Sequence, residues 1–162
     1  MDARATFRDA DLRRTLAGLL ARGQDLTPLM DAIGARLEQS ARDRIEDTNQ
    51  SPDGVPWPKS FRVVVGQGGK TLFETGRLAA SITHRATSRE TEIGTNLISA
   101  GVHQFGATIT PKSAGALQFK LADGTVVTAG KVTIPARPYL GISDADEAVI
   151  GDLTALFVEG SL

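Results

Sequence analysis

The chain has 162 residues, 41% of them hydrophobic, a formal net charge of −1 and no cysteine. That length suits one domain with a modest core, and that apolar content excludes disorder over most of it. The lack of Cys excludes disulfides, thiolate metal sites and Cys nucleophiles.

No stretch approaches the ~20 apolar residues of a membrane span. The start, MDARATFRDADLRR, carries charges where a signal peptide needs an apolar segment. The expectation is a cytoplasmic protein with no membrane partner. Aromatics are only 5%, so Leu, Ile, Val and Ala must build most of the core. Charge is unevenly spread. Residues 51–140 hold 10 basic and 5 acidic side chains, and residues 141–162 hold 5 acidic and none basic. The two regions could meet head to tail between subunits, or the acidic end could simply be a solvated helix face. The imbalance is too weak to argue for duplex DNA binding.

In chain order, residues 9–22 read as a short helix with Leu12, Leu16, Leu19 and Leu20 on one face, ended by Gly23. A longer helix is predicted from Leu26 to Asn49. Pro28 lies in its first turn, and Leu26, Met30, Ile33, Leu37, Ala41 and Ile45 form its apolar stripe. Gln50 to Lys70 is punctuated by Pro and Gly and reads as one long loop, an assembly arm, with an apolar run at Phe61–Val65 that could form a strand, if only on assembly.

Strands are predicted at Ser81–Thr87 and Glu90–Thr95, with a turn at Ser88-Arg89. A short helix at Ile98–Phe105 ends at Gly106. Further strands follow at Ala107–Thr110, Ala116–Leu121, Thr125–Thr128 and Lys131–Ile134, with Asp123-Gly124 as a hairpin signal. Ser143 is placed to cap a last helix carrying Val149, Ile150, Leu153, Leu156 and Phe157. The order implies an α+β fold in one domain, 1–162: a mostly antiparallel sheet of short strands packed with two N-terminal helices, a small central helix and a C-terminal helix.

Tests for chemistry come out weak. Val63 to Thr71 contains Gly69-Lys70-Thr71, but a phosphate-binding loop needs Gly where Val64 stands, and Gly76 interrupts the helix that should follow. His84 and His103 are the two histidines, and His103 has no acidic or His neighbour at metal-ligand spacing. No Ser lies in a nucleophile elbow. The expectation is no enzyme, no metal and no cofactor.

Trp57, between Pro56 and Pro58, reads either as an anchor for a neighbouring subunit or as a core aromatic that staples the long loop. In HQFG, Phe105 is expected in the core and Gly106 at a tight exit, with His103 and Gln104 fixing the turn. Thr75 and Gly76 open a short helix, and Arg77 could bridge to a carboxylate or a partner. Two prolines keep IPARPYLG extended, hold Arg137 on a stiff backbone and offer Tyr139 and Leu140 as anchors. Candidate subunit-contact residues are therefore Trp57, Phe61, Lys70, Arg77, Arg137, Tyr139, Asp144, Asp146 and Glu147. The Thr110–Gly115 loop is a second candidate arm.

Four motifs, SPDGVPWP (51–58), TGRLAASI (75–82), HQFG (103–106) and IPARPYLGIS (134–143), in this order resemble the virion morphogenesis or tail-completion proteins of tailed bacteriophages, including Mu-like phages. One departure is Ile98-Ser99-Ala100, where an aromatic such as Tyr is expected near Ser99. The resemblance implies a structural protein at the head–tail junction, made in the host cytoplasm and carried in the virion. It also implies a ring, by analogy a homohexamer, touching neck, connector or tail-tube proteins, with DNA close by in the lumen. A non-virion assembly factor or chaperone is the alternative.

Overall fold

The computed structural model describes residues 17, 18, 20, 21, 23, 25–64, 68–113, 115–120 and 124–162. Most of the helix expected at 9–22 lies outside the described residues. Of that stretch, residues 17, 18, 20 and 21 are helical.

The helix expected from Leu26 forms as α1, Thr27–Asp43, and closes in one wider π turn, Arg44–Thr48. Pro28 occupies its first turn, and the Asp25 carboxylate accepts from the Thr27 N–H at 2.9 Å. Asn49 adopts a left-handed φ of 51° and ends it. Leu29, Ile33, Leu37, Ala41 and Ile45 are buried at helical spacing, so one stripe faces inward.

The run at Phe61 is a correction. Phe61–Val64 forms a single helical turn, α2, rather than a strand. A run this short does not distinguish the two, and the Ser60 carbonyl accepts from the Val64 N–H. Another short helix, α3 (Arg77–Ala80), leads into β1 (Ile82–Ala86), which pairs antiparallel with β2 (Thr91–Thr95) about the expected turn. Then come α4 (Ala100–Phe105), β3 (Ala107–Ile109), β4 (Leu117–Lys120), β5 (Val126–Ala129), β6 (Val132–Ile134) and α5 (Asp144–Glu159).

The fold is α+β and its ladders are antiparallel. The strands divide into three two-stranded ladders, β1–β2, β3–β6 and β4–β5, where the sequence pattern suggested one sheet. The last two are nested: β3 and β6 form the base of a ribbon whose outer part is β4 and β5.

α1 is the centre of the body. It packs on β1–β2 and alongside α5. Gly34 allows the first approach, because a Cβ there would meet His84 Cδ2 and Thr91 Oγ1 at 2.4 Å each. One core cluster joins Leu29, Ile33, Leu37 and Phe157 between α1 and α5. The other joins Ala41, Ile45, Trp57, Ala79, Ile82, Ala100 and Tyr139.

A polar clamp reinforces the α1–β1 contact. His84 Nδ1 lies 2.7 Å from Glu38 Oε2, and His84 Nε2 lies 3.3 Å from Asp31 Oδ1. The hydrogen bond to Glu38 raises the His84 pKa above its ordinary 6.5, and the same bond lowers Glu38 below its ordinary 4.5. Stability from His84 is complete below about pH 6.5 and is lost as pH rises through its raised value. Stability from Glu38 is complete above about pH 4.5 and is lost as pH falls through its depressed value. The pair therefore contributes most in mildly acidic solution. The wild type is expected to lose more stability than His84→Gln between about pH 5.5 and about pH 8.5 in urea titrations. Equal losses would show that the pair contributes nothing.

Candidate functional site

The four motifs converge on one extended strap, residues 137–143. Each delivers a different kind of support to it.

From the first motif, Trp57 is buried and its Nε1–H donates to the Pro138 carbonyl at 3.1 Å. Arg137 reaches back to the same loop. Its Nε donates to the Pro58 carbonyl at 2.7 Å and its Nη2 to the Lys59 carbonyl at 3.3 Å. Ala79 and Ile82 of the second motif are fully buried and pack in the same cluster as Trp57 and Tyr139.

The third motif acts through Gln104. Its Oε1 accepts from the N–H groups of both Tyr139 and Leu140, each at 3.0 Å, and its Nε2 donates to the Leu140 carbonyl at 3.1 Å. One side-chain amide thus serves three backbone groups that have no sheet partner. The His103 carbonyl accepts from the Arg137 N–H at 2.7 Å. Gly106 holds φ at 73°, and a Cβ there would meet Ala136 N at 2.8 Å and Ile134 O at 2.9 Å, so only glycine lets the segment leading into the strap pass this close. The His103 ring is half-buried, and burial and the Arg137 charge push its pKa below 6.5.

A buried charge cluster locks the far end of the strap. Asp146 is completely buried. Its Oδ2 accepts from Arg44 Nη2 at 2.6 Å, Ser143 Oγ at 2.7 Å, Ser40 Oγ at 2.9 Å and Ser143 N at 3.1 Å. Arg36 Nη2 lies 3.4 Å from Oδ1. Burial pushes the Asp146 carboxyl up, but these hydrogen bonds and the Arg44 charge outweigh it and hold it below the usual carboxylate range. Arg44 Nη1 donates to the carbonyls of Tyr139 and Gly141 at 3.0 and 2.9 Å. Ser143 and Asp146 also form a reciprocal capping box at the start of α5.

This geometry sorts the nine residues expected at a subunit contact. Trp57, Arg137, Tyr139 and Asp146 are buried in their own chain, where they brace the strap. Asp146 is thereby corrected: a carboxylate with no exposure and two arginines beside it presents no surface to a neighbour. Phe61, Arg77, Asp144 and Glu147 are exposed. Lys70 is exposed too, but its Nζ donates to the Glu46 carbonyl and to Asp47 Oδ1, tying the glycine loop to the π turn. Gly76 is the residue before α3, and the Thr75 hydroxyl accepts from the Arg77 N–H at 3.4 Å.

Phe105 is a second correction. It is 80% exposed, at the last position of the six-residue α4. Ile98, just ahead of α4, is fully exposed. Sequence reasoning missed Arg44 and Ser40, whose partners lie about a hundred residues away. It also missed the reach of Asp146, although Ser143-x-x-Asp146 carries the spacing of a capping box.

Chemically, the motifs' polar groups are spent on backbone and on one another. Among the described residues, no three His, Asp or Glu side chains gather as metal ligands would. Phe61–Val64, ahead of Gly69-Lys70-Thr71, is a helical turn rather than the strand a phosphate loop requires. A polar cavity of about 240 Å³ lies beside the strap, lined by Ser60, Arg62, Leu72, Glu74, His103 and Arg137. Among the described residues, no helix is long and apolar enough to cross a membrane.

The Mu-like prophage FluMu G protein 2 of Haemophilus influenzae is 32% identical over 123 residues, covering 76% of this chain and 71% of that protein. No solved structure matches. The phage virion morphogenesis family matches residues 8–159, a span that includes all four motifs and the strap they support, and the chain belongs to that family.

Proposed function

We propose that the protein is a structural subunit of the phage head–tail junction, a tail-completion, terminator or neck-type ring component needed to finish tails or join them to filled heads. The observation that carries this reading is the family match along residues 8–159, coupled with motifs whose polar groups brace the subunit itself. Such motifs suit a part that must hold its shape under load, and the reading involves no enzyme activity and no cofactor. A homohexameric ring requires two unlike, complementary faces. Partners are neck, connector or tail-tube proteins, with DNA near the lumen. The protein is made in the host cytoplasm and ends in the virion.

Disrupting the gene in the parent phage is expected to leave filled heads and separate, unjoined tails in electron micrographs of lysates. Intact infectious particles would overturn the reading. Unjoined parts, with the protein absent from purified wild-type virions, would instead favour an assembly factor that leaves the particle.

A further inference from the structure

We propose that the polar cavity beside the start of the strap is a binding site for one small oxyanion, a phosphate ion or a carboxylate, held by Arg137, Arg62 and His103. The site stands apart from the ring reading and does not depend on it.

Two arginines of this fold are buried alike and served differently. Arg44 and Arg137 are each 5% exposed. Arg44 has the Asp146 carboxylate at 2.6 Å. Arg137 has carbonyls instead: Nε and Nη2 are taken by Pro58 and Lys59, and among the described residues Nη1 has no partner and no carboxylate pairs with the guanidinium. Burial pushes its pKa below the usual arginine value. A buried charge whose partners are all neutral is costly, and an anion beside it removes that cost.

The rest of the cavity wall repeats the pattern. Arg62 is half-buried, and it donates Nη1 to the Gly68 carbonyl and Nη2 to the carbonyls of Lys70 and Phe73, so its guanidinium is fixed without an acid. Gly69 makes the room for it, since a Cβ there would meet Arg62 Nη1 at 2.7 Å. His103 Nδ1 is buried and makes no hydrogen bond, and in one tautomer it is a donor. Ser60 adds a hydroxyl. Glu74 is the acid of the wall, but it is exposed and pairs with neither arginine. Two arginines against one glutamate leave the wall positive. Guanidinium and imidazole donors hold phosphate and carboxylate oxygens alike, by charge-assisted hydrogen bonds. At about 240 Å³ the cavity is below the ~300–1,000 Å³ of drug-sized ligand pockets, so a nucleotide is too large and a single oxyanion fits.

The test is NMR of the full chain titrated with sodium phosphate, compared with sodium chloride at equal ionic strength. The chain has two histidines, and His84, in the α1–β1 clamp and away from the cavity wall, is the internal control. Phosphate is expected to shift the His103 ring signals saturably and to raise the pH midpoint of that ring, because the anion offsets the Arg137 charge that lowers it. His84 should not respond. No saturable shift at His103 by ~50 mM phosphate, well past a millimolar Kd, overturns the site, and so do equal shifts at both rings. Arg62→Gln should weaken phosphate binding ~10-fold or more, but it also frees the glycine loop. Glu74→Gln is therefore the deciding variant, since it removes an exposed charge that pairs with nothing. It should tighten phosphate binding ~3-fold, and unchanged binding would overturn the placement. Sodium acetate separates the two sources. Acetate binding as tightly as phosphate, despite its smaller charge, would assign the site to a carboxylate such as an acidic side chain of another protein presents. Tighter binding of phosphate would assign it to the free ion.

Discussion

Asp146→Asn is expected to cost about 3–5 kcal/mol of folding stability, the largest loss of any single polar substitution in this chain. The carboxylate is fully buried, and Arg44 beside it is also buried. Removing the negative charge leaves the buried Arg44 guanidinium with neutral partners alone, among them the carbonyls of Tyr139 and Gly141. It also weakens the capping box at α5 and the tie from Ser40. Urea titration near neutral pH measures the loss. The double variant Arg44→Met with Asp146→Leu should lose less than Asp146→Asn alone, because no charge is then stranded. The folded pKa of Asp146 is depressed, so its contribution is present above the unfolded carboxylate value and disappears as pH falls through the folded one. Wild type should therefore lose its advantage over Asp146→Asn in acid. A constant difference down to about pH 2 would show that the charge is not what matters.

Gln104→Leu is expected to cost about 2–4 kcal/mol, since it strands two backbone N–H groups and a carbonyl of the strap at once. Leucine matches the volume of glutamine closely enough that packing should change little. Gln104→Glu makes a sharper comparison. It keeps an acceptor for the Tyr139 and Leu140 N–H groups but replaces the donor to the Leu140 carbonyl with a repelling oxygen. Its cost should fall between wild type and Gln104→Leu near neutral pH. Thermal unfolding monitored by Trp57 fluorescence reports both, because Trp57 contacts the same strap through Pro138. If Gln104→Leu unfolds at the wild-type temperature, water replaces the amide and the clamp is dispensable.

What the sequence made legible follows from the range of the forces involved. The α1 stripe, the β1–β2 hairpin and the Ser143 cap depend on neighbours within one or two turns, and periodicity and capping chemistry report those directly. Phe61–Val64 and Phe105 were misread because their segments are too short for period to separate helix from strand, or inside from outside. The division of strands into three ladders is decided by contacts far apart along the chain, which no local window contains. The candidate site was legible as a set of motifs and not as an arrangement. Trp57 stood evenly between partner anchor and internal staple, and its bond to Pro138 places it in its own chain. Asp146 had the look of a solvated helix-start acid until Arg44, 102 residues earlier, was seen to lie against it.

The strap also sets an order of events in time. Several of the hydrogen bonds at the strap and just beyond it join residues 79 to 106 positions apart: Arg137 to Pro58, Trp57 to Pro138, Arg44 to Tyr139 and Ser40 to Asp146. Closing loops of that length costs entropy before any contact rewards it, so these links belong to the late, slow phase of folding. On the ribosome, Ser40, Arg44 and Trp57 emerge well before the residues that will hold them. A nascent chain therefore carries an unmatched guanidinium and an uncovered indole until its final quarter is made. A chain that has not docked the strap cannot yet present a settled surface, and the same segment that braces the finished protein times its maturation.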